Sequence, residues 1–172
     1  MANNSDLYGL QVKVKADIQQ MITDGYLTGL ATTSVKVRKV PSGRDFSTKS
    51  PLPSGMTAYP AVFISPGPRE TIDEATNLSD DYGYPVLVVI SDVDNQDLDS
   101  NHDTYLMWRQ RIISKFVAKQ TVCTDPSVTY FDCFCEPGPI VDWNRFMGDG
   151  VFVGSFVLRF KTRKRHGYPA IA

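Results

Sequence analysis

The sequence predicts an α+β domain with two helices packed on one mixed, mainly antiparallel sheet of about five strands. Two stretches repeat apolar residues at three- and four-residue steps, and five shorter runs are rich in β-branched and aromatic residues. Their order is helix, three strands, helix, two strands, which is an α+β arrangement. The chain of 172 residues has the length of one domain, spanning 1–172. By area scaling it can bury roughly 70% of its unfolded surface, enough for a core without staples.

The first element is a helix. Leu7, Leu10, Val14, Ile18, Met21 and Ile22 form one stripe, with Lys13, Lys15, Asp17, Gln19 and Gln20 outside it. Ser5 or Asp6 can cap its start, and Gly25 or Gly29 can end it. Ser34 to Val40 alternates Val35 and Val37 with basic residues until Pro41 stops the pattern, which predicts a short, half-exposed strand. Residues 41–57 gather Pro41, Pro51, Pro53, Gly43 and Gly55 with hardly any apolar periodicity, so a long loop is expected. Tyr59 to Ser65 is a second strand pattern, ended by Pro66-Gly67-Pro68. Pro85 to Ser91 is almost continuously apolar, the mark of a strand covered on both faces, and is expected at the centre of the sheet.

Asp92 to Asp103 is expected to be an acidic loop at about 92–103. Beyond it, Tyr105, Trp108, Ile112 and Phe116, with Leu106, Ile113 and Val117, outline a second helix reaching Lys119, capped by Asn101 or Asp103. Arg109, Arg111, Lys115 and Lys119 are expected on its other sides, the later ones complementing the helix dipole. Val128 to Cys135 and Val151 to Lys161 supply the last two strands, with Pro137-Gly138-Pro139 as a turn between them. Gly148-Asp149-Gly150 reads as a hairpin turn before the final strand, which runs into a basic C-terminal tail.

Charge and composition exclude several classes. Eighteen Lys and Arg against nineteen Asp and Glu leave a net charge of -1, so no whole-molecule attraction to nucleic acid or anionic membrane exists. No apolar run reaches membrane-spanning length and Met1 to Asp6 lacks a signal-peptide pattern, so no membrane partner is expected and the cytosol where the chain is made is the expected compartment. Cys123, Cys133 and Cys135 are expected as reduced thiols, with Cys133 and Cys135 on one strand face. His102 and His166 stand alone and no CxxC spacing occurs, which argues against zinc.

No catalytic residues are assigned, because no GxSxG elbow or paired nucleophile and base is present. No cofactor site is assigned either, since neither GxGxxG nor GxxxxGK occurs. Asp92, Asp94, Asp97 and Asp99 are the candidate metal ligands, because alternate carboxylates can wrap calcium. Asp97 stands where an EF-hand loop uses Gly, and Asp103 where it uses Glu, so a solvated loop leading to a helix cap is the expectation. Arg159, Lys161, Arg163 and Arg165 alternate along the last strand and project from one face, with Lys164 adding to the cluster. Such a strip either docks an acidic partner or phosphate, or protects an exposed edge strand from aggregation.

Taken together, Tyr59-Pro60-Ala61-Val62-Phe63-Ile64, Tyr84-Pro85-Val86-Leu87-Val88-Val89 and the helix from Tyr105 to Lys119 resemble the layout of the tail terminator, or tail completion, proteins of long-tailed bacteriophages. The resemblance spans roughly Leu7 to Lys161, and the chain departs from it by its Pro- and Ser-rich loop and its Asp-rich segment. It implies a structural virion protein, not an enzyme, that forms a hexameric ring on the tail tube and ends tube polymerisation. It implies as partners further copies of the chain, the tail tube protein, the head connector or neck protein, and DNA passing through the ring without sequence recognition. The implied place is the head-proximal end of the tail. Asp94, Asp97 and Asp99 and the basic residues Arg159, Lys161, Arg163 and Arg165 are then the expected assembly contacts. A head-to-tail connector and, from another class, a calcium-binding module through the Asp-rich loop are the alternatives.

Overall fold

The two most apolar strand patterns in the chain become its two longest strands. In the computed structural model, which describes residues 6–37, 59–93, 98–117, 123–124, 129–130, 132–149 and 151–165, β4 (Ser79–Val93) and β8 (Val151–Arg165) are 15 residues each. They pair antiparallel over their whole length, from Ser79 opposite Arg165 to Val93 opposite Val151. β1 (Val35–Val37) lies parallel to β2 (Ala61–Pro66), which pairs antiparallel with the inner part of β4. β3 (Thr71–Thr76) pairs with the outer part of β4, from Ser79 to Gly83, so β2 and β3 share one edge of β4 end to end. The two-residue strands β5 (Cys123–Thr124) and β6 (Thr129–Tyr130) form a separate pair. β7 (Asp132–Pro137) completes a six-stranded sheet by pairing with the middle of β8.

α1 (Asp6–Thr23) and α2 (Leu98–Val117) cover one face of this sheet. Side chains two apart along a strand share a face. Val86, Val88 and Ile90 of β4 and Phe156, Leu158 and Phe160 of β8 therefore meet Leu10, Val14 and Ile18 of α1 and Tyr105, Ile112 and Phe116 of α2 in one buried core. Residues of the other parity form a smaller cluster on the opposite face, made of Ala61, Phe63, Val89, Val151 and Val153. The expected α+β class, helix pair and central position of residues 85–91 are all observed.

α1 ends as its glycine anticipates. Gly25 takes φ 78°, its N–H bonds Ile22 O at 3.0 Å, and the Tyr26 N–H bonds Met21 O at 2.9 Å, which is a Schellman closure. Buried polar groups of α2 then fix the helices to their neighbours. Trp108 Nε1 donates to Thr28 O at 2.8 Å and Tyr105 Oη donates to Ile140 O at 2.9 Å. Gly154 lets that contact close up, because a Cβ there would collide with Tyr105 Oη and Ile140 O.

Several expectations need correction. The Asp92–Asp103 segment is not one loop: Asp92 and Val93 complete β4, and α2 already begins at Leu98, with residues 94–97 outside the described residues. Asn101 and Asp103 therefore lie within the helix and do not cap it. Arg109 is buried inward, donating to Ser155 O at 2.8 Å and Gly138 O at 3.2 Å with its guanidinium 5.0 Å from the Phe156 ring centroid. Gly148 and Asp149 belong to a short helix, α3 (Trp143–Asp149), not to a hairpin turn. The expected loop at 41–57 lies outside the described residues.

Candidate functional site

The basic strip of β8 is where sequence placed a docking surface, and its surroundings decide what it does. β4 flanks β8 over its whole length, and β7 pairs with it from Phe156 to Lys161, so edge protection does not explain Arg159. From Thr162 to Arg165 no second strand pairs with β8 among the described residues, and there the charges of Arg163 and Lys164 also guard an open edge. Arg159, Lys161 and Arg163 share the face away from the helices, as the alternation implied. Each has an acidic or aromatic neighbour from an adjoining strand.

Arg159 is buried and pairs through Nε with Glu136 of β7, while Nη1 donates to Arg69 O at 3.0 Å and reaches Gly83 O at 3.4 Å. Its stem fits because Gly83 has no side chain at that crossing. Lys161 Nζ lies 5.5 Å from the centroid of the Phe134 ring. Arg163 forks onto Asp81, with Nε to Oδ1 at 2.7 Å and Nη2 to Oδ2 at 3.0 Å, which holds the Asp81 carboxyl below the ordinary carboxylate value. Arg165 is the last residue of β8, and its side chain lies outside the described residues.

Lys164 points the other way, toward α1. Its Nζ bonds Asp6 and donates to Tyr84 Oη at 2.7 Å, and it sits 5.1 Å and 5.2 Å from the Tyr82 and Tyr84 ring centroids. Burial alone would lower this ammonium, but the bonds to Asp6 and Tyr84 outweigh it and raise its pKa. The basic strip is therefore largely a set of internal ties to β4, β7, α1 and the Arg69 carbonyl ahead of β3.

Of the acidic candidates, Asp92 is partly buried at the end of β4 and Asp99 lies in the first turn of α2, its side chain outside the described residues. Asp94 and Asp97 lie outside the described residues altogether. Among the described residues no three His, Cys, Asp or Glu side chains converge as a metal cage. Cys133 and Cys135 do share the helix-facing side of β7, and burial pushes the Cys133 thiol from 9.0 up to about 12, which keeps it protonated and unreactive.

Exposed apolar side chains mark two surfaces that sequence reasoning missed. The first is the β3–β4 hairpin, which carries Ile72 at 60% and Leu78 at 74% exposure. From Glu70 to Asp81 it holds five acids and no basic residue. Ile72 faces with Tyr82 and Glu74 with Asp80, so Ile72 and Glu74 share one side of the hairpin. The second is the α3 region, where Trp143 and Met147 are 66% and 79% exposed beside Ile140. Phe146 anchors that helix, stacking 4.6 Å from Phe152 on β8 while Trp143 meets it edge-on at 5.9 Å. The hairpin adjoins the Arg165 end of β8 and α3 the Val151 end, so the two stand at opposite ends of one rigid strand pair.

A groove of about 680 Å³ opens between the C-terminal end of α1 and the outer side of α2. Met21, Tyr26 and Met107 supply its apolar lining, and Asp24, Arg111 and Lys115 its charge. Arg111 is tied to Tyr26 O across it. No family profile matches this sequence, and no curated protein sequence matches it. Among the described residues no helix is long and apolar enough to cross a membrane.

Proposed function

We propose that this chain is a structural virion protein of the tail-terminator kind. It assembles into a ring of about six copies on the finished tail tube, ends tube polymerisation, and offers the other side of the ring to the head connector, with DNA passing through the hole. It contributes surfaces to an assembly and breaks no bonds.

The observation that carries this reading is the separation of unlike exposed apolar patches on one stiff frame. A ring subunit meets its neighbours through two different surfaces, because a head-to-tail interface that closes is heterologous. It also meets partners along the ring axis. Ile72 and Leu78 at one end of the β4–β8 pair, and Trp143 and Met147 at the other, are the unlike surfaces such contacts need. The strained or perturbed groups support a structural role as well: the thiol of Cys133 is raised by burial, and Tyr105 is raised by burial while its hydroxyl is committed to Ile140 O.

The test is negative-stain microscopy with sedimentation velocity on the purified chain. Ring particles of about six subunits are expected at micromolar concentration. A monomer at every concentration reached would overturn the reading.

A further inference from the structure

We propose that the β3–β4 hairpin of one copy seats in the α1–α2 groove of the next, and that this contact sets the lateral interface of the ring. The inference rests on the ring reading above and names the surfaces that would join. Charge is the first argument. Of the five acids between Glu70 and Asp81, Asp81 is committed to Arg163 of β8, while Asp73 and Glu74 are exposed on β3; α2 from Thr104 to Val117 carries Arg109, Arg111 and Lys115 with no acid. Arg109 turns inward, so Arg111 and Lys115, one turn apart, are the cations at the groove. Asp24, also in the groove, accepts a hydrogen bond from Gln20 Nε2 on its Oδ1 at 2.7 Å, and Arg111 and Lys115 outnumber it.

Shape and polarity are the second argument. Ile72 and Glu74 occupy one side of the hairpin with Leu78 at its turn, so an apolar pair and a carboxylate enter together. The groove matches that order, with Met21, Tyr26 and Met107 for the apolar pair and Lys115 and Arg111 for the carboxylate. Methionines repack around an incoming side chain at low cost, and a volume of about 680 Å³ lies within the range of sites that enclose a ligand.

Position makes the contact intermolecular. Lys164 pins Asp6, the first residue of α1, beside the hairpin, and the groove begins at Met21, 15 residues further along α1. At 1.5 Å per residue, hairpin and groove are separated by about 22 Å along that axis, so a copy cannot fill its own groove. A head-to-tail contact of this kind closes into a ring when its rotation allows.

A charge swap tests it. Glu74→Lys and Lys115→Glu, each alone, should weaken self-association about 10-fold or more, and the two together in one chain should restore rings. Leu78→Asp should weaken association roughly 30-fold or more, as loss of a buried anchor does. Thermal unfolding of each variant should match the parent chain, since all three positions lie at the surface. As a direct readout, copies bearing Leu78→Cys mixed with copies bearing Met107→Cys should form a 78–107 disulfide between chains under mild oxidation. Rings that persist in Glu74→Lys and Leu78→Asp, or assembled chains without the 78–107 link, would overturn this contact while leaving the ring itself standing. A parent chain that never assembles would overturn both.

Discussion

The inner and outer spans of the same two strands are held together by different physics. From Tyr84 to Ile90 and from Gly154 to Phe160, β4 and β8 lie under the helices, and their helix-facing side chains are apolar apart from the Tyr84 hydroxyl, which Lys164 engages. From Ser79 to Gly83 and from Lys161 to Arg165 the strands carry charge, and ion pairs and aromatic contacts replace the core. Hydrophobic burial is non-directional and accumulates with area, whereas exposed ion pairs contribute little. The inner span is therefore where stability resides, and the outer span is a less stable arm whose exposed residues are available for contact.

The sharpest way to break that contrast is to cut into the inner span. Phe156→Ala removes a fully buried ring that also supports Arg109, and should cost about 3–5 kcal/mol, read as a large loss in denaturant midpoint. At the boundary, Arg159→Ala strips partners from Glu136 and from the carbonyls of Arg69 and Gly83. It should cost about 1–3 kcal/mol by urea unfolding, because a buried stem is lost together with its bonds to the part-buried Glu136 and Arg69 O and to the buried Gly83 O. A result as small as that of a surface residue would move the boundary inward.

Alkali should touch both spans more gently. Lys164 and Cys133 both have raised folded pKa values, so each contributes stability in full below its unfolded value and loses it as pH rises through the folded one. For Cys133 that window runs from 9.0 to about 12. Urea midpoints are expected to hold up to about pH 9 and decline above it. Cys133→Ala should flatten the thiol part of that decline, and unchanged curves would refute the assignment.

Much of this division was legible in the sequence, because burial writes its period into apolar residues. The stripe from Leu10 to Met21 and the runs at 85–91 and 151–160 are read directly as α1 and the inner β4–β8 pair. What stayed hidden is polar. Thr71-Ile72-Asp73-Glu74 follows its two β-branched residues with two acids that disfavour strands, and it is held as a strand by pairing with the outer part of β4. The first turns of α2, Leu98 to Asp103, are rich in residues that favour caps and turns, yet acids there suit the positive end of a helix dipole. The face shared by Arg159, Lys161 and Arg163 was legible from alternation. Its internal role was not, because Asp81 lies 82 residues from Arg163 in the chain.

The most direct measurement is hydrogen exchange on the parent chain at low and high concentration. In the dilute subunit, amides of 84–90 and 154–160 should exchange through global unfolding only, while those of 71–83 and 161–165 open more readily. On assembly, protection should rise at the hairpin and at residues 107–115 of α2 and stay constant in the inner span. Equal protection of both spans in the subunit, or no gain at the hairpin in rings, would contradict the account.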